Sequence, residues 1–196
     1  MQPRQDGRNA RALRTREAIV DACISLVEGG ELRPTAHQVA ERGDVSVRSV
    51  FQHFEDLPAL HRAVSERIVE RVALLLAPVD TAAPLDQRID ELVWRRAALL
   101  EAITPYRRAA NVHAPFAPEL SATVRLGVDY LRDEVEQVFE PELCRRSGDG
   151  RRELADALGV ALSWSSWDAL RTEAGCSSEQ AAAVYPRTVR ALLDVA

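Results

Sequence analysis

Residues 35–60 read TAHQVAERGDVSVRSVFQHFEDLPAL. Two short helical patterns flank a tight turn. Thr35 with Gln38 fits a capping box, in which the threonine hydroxyl and the glutamine amide satisfy otherwise orphaned N–H groups. That first helix is expected to end at Gly43. Ser46 is placed to cap a second, running from Val47 to about His53. Neither is long enough to be stable alone, so both must be braced on flanking helices through Val39, Ala40, Val45, Val50 and Phe54. Val45, in the turn, sets the angle between them. This is the pattern of a helix–turn–helix, whose second element can enter the major groove of DNA.

Outward from this stretch, everything reads as helix. Apolar residues recur at spacings of three and four, and prolines and glycines fall between segments. A first helix is predicted from Asn9 to Gly29-Gly30, with Ile19, Ala22, Cys23, Leu26 and Val27 as its stripe. Asp56 is placed to cap a fourth helix through Leu60, Val64, Ile68, Val72 and Leu75, ending before Pro78. Residues 78–84 (PVDTAAP) read as a linker. Beyond it lies a helix carrying Leu85, Ile89, Leu92, Leu99 and Ile103. Pro105, Pro115 and Pro118 are expected to break up a short piece around Tyr106–His113. Further helices follow at about 119–140, 152–174 and 178–195. The expected architecture is all-α, with a DNA-binding domain at 10–76 and a second helical domain at 84–196.

The chain has 196 residues, 46% hydrophobic and 28% charged, with a net charge of −5. That is too apolar for disorder and long enough for a sizeable core. The longest apolar run, Val72–Val79, is far short of the ~20 residues of a membrane helix. Arginines near the start are not followed by an apolar stretch, so no signal peptide is expected, and a cytoplasmic location without membrane association follows. Cys23, Cys144 and Cys176 form no CxxC pair, and His61 and His113 stand apart in sequence, so no metal or cofactor is expected.

Charge is unevenly spread. Residues 1–16 hold five arginines against Asp6 alone, whereas residues 1–62 balance at nine arginines and nine acids. This is a basic arm, either solvated or nucleic-acid-binding, and not a basic domain. All 25 basic residues are arginine, so phosphate contacts must come from Arg, His, hydroxyls or backbone N–H groups. On the second short helix Arg48 suits guanine, Gln52 adenine and Val47 a thymine methyl, while Ser46 and Ser49 suit phosphates. Phe51 and Phe54 are expected in the core. His53 fits either a phosphate contact or a structural hydrogen bond, and His37 either a base contact or solvent.

The same run resembles the DNA-binding domain of TetR-type (tetracycline-repressor-like) transcriptional regulators. Thr35, Val39-Ala40, Val45-Ser46, Phe51-Gln52-His53-Phe54 and Leu60 carry the resemblance, which covers about residues 10–75. The family usually has Tyr where Phe51 stands and Lys where Leu57 stands, both phosphate partners. Arg48-Ser49 replaces a Gly-Thr pair, and Asp44 a turn glycine. The resemblance then implies that His53, Thr35, Ser46 and the arm arginines supply more of the phosphate contacts. The DNA-facing residues expected are Arg14, Thr35, His37, Gln38, Ser46, Val47, Arg48, Ser49, Gln52 and His53.

For the second half, the resemblance implies a small-molecule effector pocket and a homodimer. Trp94, Tyr106, His113, Phe116, Tyr130, Trp164 and Trp167 are the ligand-binding residues expected, since such sites are mostly apolar with a few polar groups. Arg95, Arg96, Arg107 and Arg108 suit either an acidic ligand or, as is usual for paired arginines on a helix, solvent. Small residues between Ala155 and Ala169, and the apolar face of the last helix (Tyr185, Val189, Leu192, Leu193), suit pairing of the last two helices across a two-fold axis, the alternative being packing within one chain. The function expected is a ligand-responsive regulator, a repressor released by its effector from a palindromic double-stranded operator. Two other classes compete. An enzyme would need a motif such as GxSxG, HExxH or a P-loop, and none occurs. A degenerate relative, binding a ligand or a protein partner with weak or no DNA binding, would draw on the Phe51 and Leu57 departures.

Overall fold

The computed structural model describes residues 3–113 and 118–194. The described residues form helices α1 (Pro3–Glu28), α2 (Ala36–Arg42), α3 (Val47–His53), α4 (Leu57–Val72), α5 (Leu85–His113), α6 (Pro118–Val138), α7 (Glu140–Leu143), α8 (Asp149–Ala161), α9 (Trp164–Thr172) and α10 (Ser178–Asp194), with a 3-10 turn at Ala73–Leu76. No strand occurs among them, as the all-α expectation required. None of these helices is long and apolar enough to cross a membrane.

The chain divides into two compact units, residues 1–71 with 105–122, and residues 72–104 with 123–196. Residues 105–122, read from sequence as part of the second domain, thus group with the first. In the first unit α2 and α3 pack on α1. Its core takes Ile19, Cys23 and Ile24 from α1, Val39 and Ala40 from α2, Val50 from α3, Leu60 and Val64 from α4, and Ala109 from α5. Burial pushes the Cys23 thiol up to about 11, so it stays protonated as an apolar filler.

The second unit is built around the first part of α5. Ile89, Leu92 and Leu100 meet Val135, Val138, Phe139, Leu143, Leu158, Leu162, Trp167, Tyr185 and Val189. Two arginines, Arg96 expected at an acidic ligand or in solvent and Arg88 left unassigned, are instead internal. Arg88 is 4% exposed and grips Glu142 through both carboxylate oxygens at 2.7 and 2.9 Å. Arg96 is 2% exposed and donates to the Leu131 and Leu162 carbonyls, each at 3.1 Å, as well as pairing with Glu134. Burial by itself would raise the Glu142 pKa, but the Arg88 hydrogen bonds and charge outweigh it and hold the carboxyl below its usual range.

Two boundaries differ from expectation. α5 runs through Pro105 without a break. The proline removes one N–H and crowds the Glu101 carbonyl, but Leu99, Leu100 and Thr104 are buried before it and Ala109 after it. Tertiary burial on both sides outweighs the local penalty. Conversely, the helix expected at 152–174 stops at Leu162, and α9 starts afresh with Ser163 as its cap, the hydroxyl accepting from the Ser166 N–H at 3.2 Å.

Candidate nucleic-acid interface

The turn between α2 and α3 is fixed by backbone bonds. Gly43 N–H donates to the Val39 carbonyl at 2.9 Å, and Val45 N–H reaches back five residues to the Ala40 carbonyl at 2.9 Å. This closure needs a left-handed residue after the helix. Asp44 supplies it, at φ +51; aspartate tolerates that region better than most side chains. Gly43 suits the turn for another reason: a Cβ there would sit 3.2 Å from the Val39 carbonyl oxygen and 3.3 Å from the Ala22 Cβ, so a side chain would need these neighbours to give by a few tenths of an ångström.

Both short helices are capped as their sequences predict. The Thr35 hydroxyl accepts from Gln38 N–H at 3.2 Å, and the Gln38 side-chain oxygen accepts from Thr35 N–H at 2.8 Å. Gln38 also donates its amide to Glu31 at 3.1 Å. Thr35 and Gln38, expected to face DNA, thus also hold the start of α2, with Thr35 exposed and Gln38 half-buried. The Ser46 hydroxyl accepts from Ser49 N–H at 3.0 Å and lies 2.9 Å from the Ser49 hydroxyl. Phe54 closes α3 and is buried, with the Arg16 guanidinium 5.0 Å over its ring. One arginine of the basic arm thus braces the motif.

With Val50 turned inward, α3 exposes one continuous strip. At 100° per residue, Val47, Phe51, Arg48 and Gln52 span an arc of roughly 140°; all four are exposed. Ser46 is exposed at the start of α3, Ser49 and His53 are half-buried, and His37 and Arg14 are exposed on α2 and α1. Phe51 departs from expectation: it is 51% exposed, not in the core. A helix of seven residues can bury only one stripe, and Val50 with Phe54 already fills it. That i,i+4 arithmetic was available in the sequence.

The residues expected to line an effector pocket are dispersed. Trp167 is buried, donates to Glu101 at 3.0 Å and packs against the Tyr185 ring. Trp164 donates to Thr104 at 3.1 Å. Trp94 is 67% exposed, and Tyr130 is 42% exposed with its hydroxyl donating to the Leu76 carbonyl at 2.6 Å. Tyr106 and His113 belong to the first unit: Tyr106 bonds Glu28, and His113 lies 3.2 Å from the Leu32 carbonyl oxygen, its ring centroid 4.8 Å from that of His61. Phe116 lies outside the described residues. Two open grooves of about 680 and 660 Å³ occur in the second unit, one lined by residues of α8 and α10 and the other by residues of α6 and α7. None of the expected ligand residues lines either groove. Among the described residues no three His, Cys, Asp or Glu side chains are grouped to hold a metal ion.

No family model matches the chain, and no curated protein matches it in sequence. Solved structures do. A transcriptional regulator from Rhodococcus sp. Rha1 superposes with a TM-score of 0.64 at 17% identity, covering 94% of this chain and 96% of its own. A protein from Mesorhizobium loti MAFF303099, assigned to the TetR family of transcriptional regulators, superposes with a TM-score of 0.60 at 19% identity, covering 94% of this chain and 98% of its own. The fold is that of the TetR-type regulators. Its helix–turn–helix in this chain is α2–turn–α3, and the exposed strip lies on the second of those helices.

Proposed function

We propose that the protein is a ligand-responsive transcriptional regulator that binds a palindromic operator as a homodimer and, as a repressor, is released by a small-molecule effector. The observation that carries this reading is the strip Val47–Arg48–Phe51–Gln52, exposed on a capped helix whose opposite side is pinned into a core. A guanidinium, an amide and apolar groups on one helix face are what base-edge recognition uses. Ser46 and the α3 start offer hydroxyl and N–H donors to phosphate, and Arg14 offers charge.

Tyr185 and Val189, expected on the pairing face of the last helix, are buried in the chain's own core, with Leu192 and Leu193 packed against it; pairing through α8–α9 and α10 draws instead on Val160 and Val184, which are 67% and 38% exposed. Effector binding in the second unit would then shift the population away from the DNA-competent conformer. Trp94, Tyr130, Trp164 and Trp167 remain the side chains proposed to meet the effector there; Tyr106 and His113, also expected to meet it, group with the first unit.

Selection from a random duplex pool, followed by a salt titration of the recovered sequence, tests the reading. A palindrome with half-sites about one helical turn, or a multiple of it, apart is expected, with affinity falling steeply as salt rises. Equal binding of recovered and random duplex, with no salt dependence, would rule it out.

A further inference from the structure

We infer that Phe51 is a base-reading residue that recognises the C5-methyl group of thymine, so that the half-site is specified partly by apolar contact. The inference rests on the DNA-binding reading above and assigns the chemistry of one part of that surface.

Phe51 is 51% exposed and Val47, one turn earlier on the same face, is 37% exposed. An aromatic ring left in water is not needed to hold α3, because Val50 at 1% and Phe54 at 3% exposure already anchor it. Phenylalanine carries no hydroxyl or N–H, so this ring can neither donate to a phosphate nor read a polar base edge. The apolar group that unmodified DNA presents in its major groove is the thymine methyl. The flanking Arg48 and Gln52 supply polar contacts beside it. Val47 and Phe51 are about 6 Å apart along the helix, at 1.5 Å per residue. That is roughly two base-pair rises of 3.4 Å. The pair is therefore spaced to read two methyls a short step apart.

The test takes the duplex recovered by selection and replaces each thymine by deoxyuridine, which removes only the methyl. Affinities are measured for the full-length wild type, Phe51→Ala and Phe51→Leu. One or two thymines per half-site are expected to be sensitive, with wild-type affinity dropping about four-fold at each, the worth of one buried methyl. Phe51→Ala should bind the thymine duplex more weakly and lose sensitivity at one of those positions. Phe51→Leu should keep part of it. The salt slope should be the same in all three proteins, because no phosphate contact is removed. Thermal midpoints check that the variants are folded.

Tolerance of deoxyuridine at every position would overturn the inference, and so would undiminished sensitivity in Phe51→Ala. A shallower salt slope in Phe51→Ala would also overturn it. These outcomes leave the DNA-binding reading standing. Failure of wild type to bind any duplex would remove both.

Discussion

Two arginines of the second unit and two of the first do opposite work. In the second, Arg88 and Arg96 are buried and spend their donors on carboxylates and carbonyls of the same chain; Arg171, half-buried, holds Glu101 at 2.9 and 3.1 Å. In the first, Arg48 and Arg14 stand exposed, while Arg67 and Arg71 form surface pairs with Asp21 and Glu28. The second unit turns Arg88 and Arg96 inward to fix helix positions while Arg132 and Arg152 stay at its surface, and the first leaves Arg14 and Arg48 facing solvent. The difference separates polar groups that hold a structure from polar groups available to a partner.

The sharpest way to break this contrast is Glu142→Ala. It strands the Arg88 charge in the core, and a loss of about 3–5 kcal/mol is expected, read by urea unfolding. Arg88→Met with Glu142→Leu should recover most of it, since an apolar pair of similar volume carries no unpaired charge. Full stability in the single variant would show that the buried pair is dispensable.

The first unit carries its own titrating group. Burial, then the neighbouring His113, lowers the His61 pKa to about 4, with Asp56 opposing. The unfolded state, near 6.5, therefore binds more protons between those values. Stability is fully present above about pH 6.5 and is lost as pH falls toward 4. The loss should be on the order of 2–3 kcal/mol. Unfolding curves at pH 7.5 and 4.5 measure it, and His61→Gln should flatten the dependence. A wild type equally stable at both pH values would contradict this account.

Smaller effects probe the recognition motif. Thr35→Ala removes the capping box and should cost about 1 kcal/mol of stability. Arg48→Ala should change stability by under about 0.5 kcal/mol yet weaken discrimination at one base pair by about 1–3 kcal/mol. A large stability loss from Arg48→Ala would place that residue with the structural arginines.

Much of the first unit was legible because its signals are local. The Thr35–Gln38 box, the Ser46 cap and the Asp56 cap, whose carboxylate accepts from Ala59 N–H at 2.8 Å, each depend on residues within three positions. Inward Val39 and Val50 follow from periodicity. What sequence hid was tertiary. Arg88 and Arg96 look like any helical arginines until carbonyls on α6 and at the end of α8 are seen across from them. Pro105 reads as a breaker because the burial that overrides it comes from distant segments. Ser163 is a fair cap by type, but the apolar pattern on both sides masked it. Phe51 was misread because an aromatic side chain defaults to the interior, when the seven-residue length of α3 should have decided the matter.

The continuity of α5 has a practical consequence. Because its last two turns complete the first unit, cutting the gene at the linker would not liberate an intact head. Such a fragment would strip Tyr106 from Glu28 and His113 from its seat beside His61 and Leu32, and it would lose the buried Ala109. A head meant for study in isolation would need the 105–122 segment grafted back.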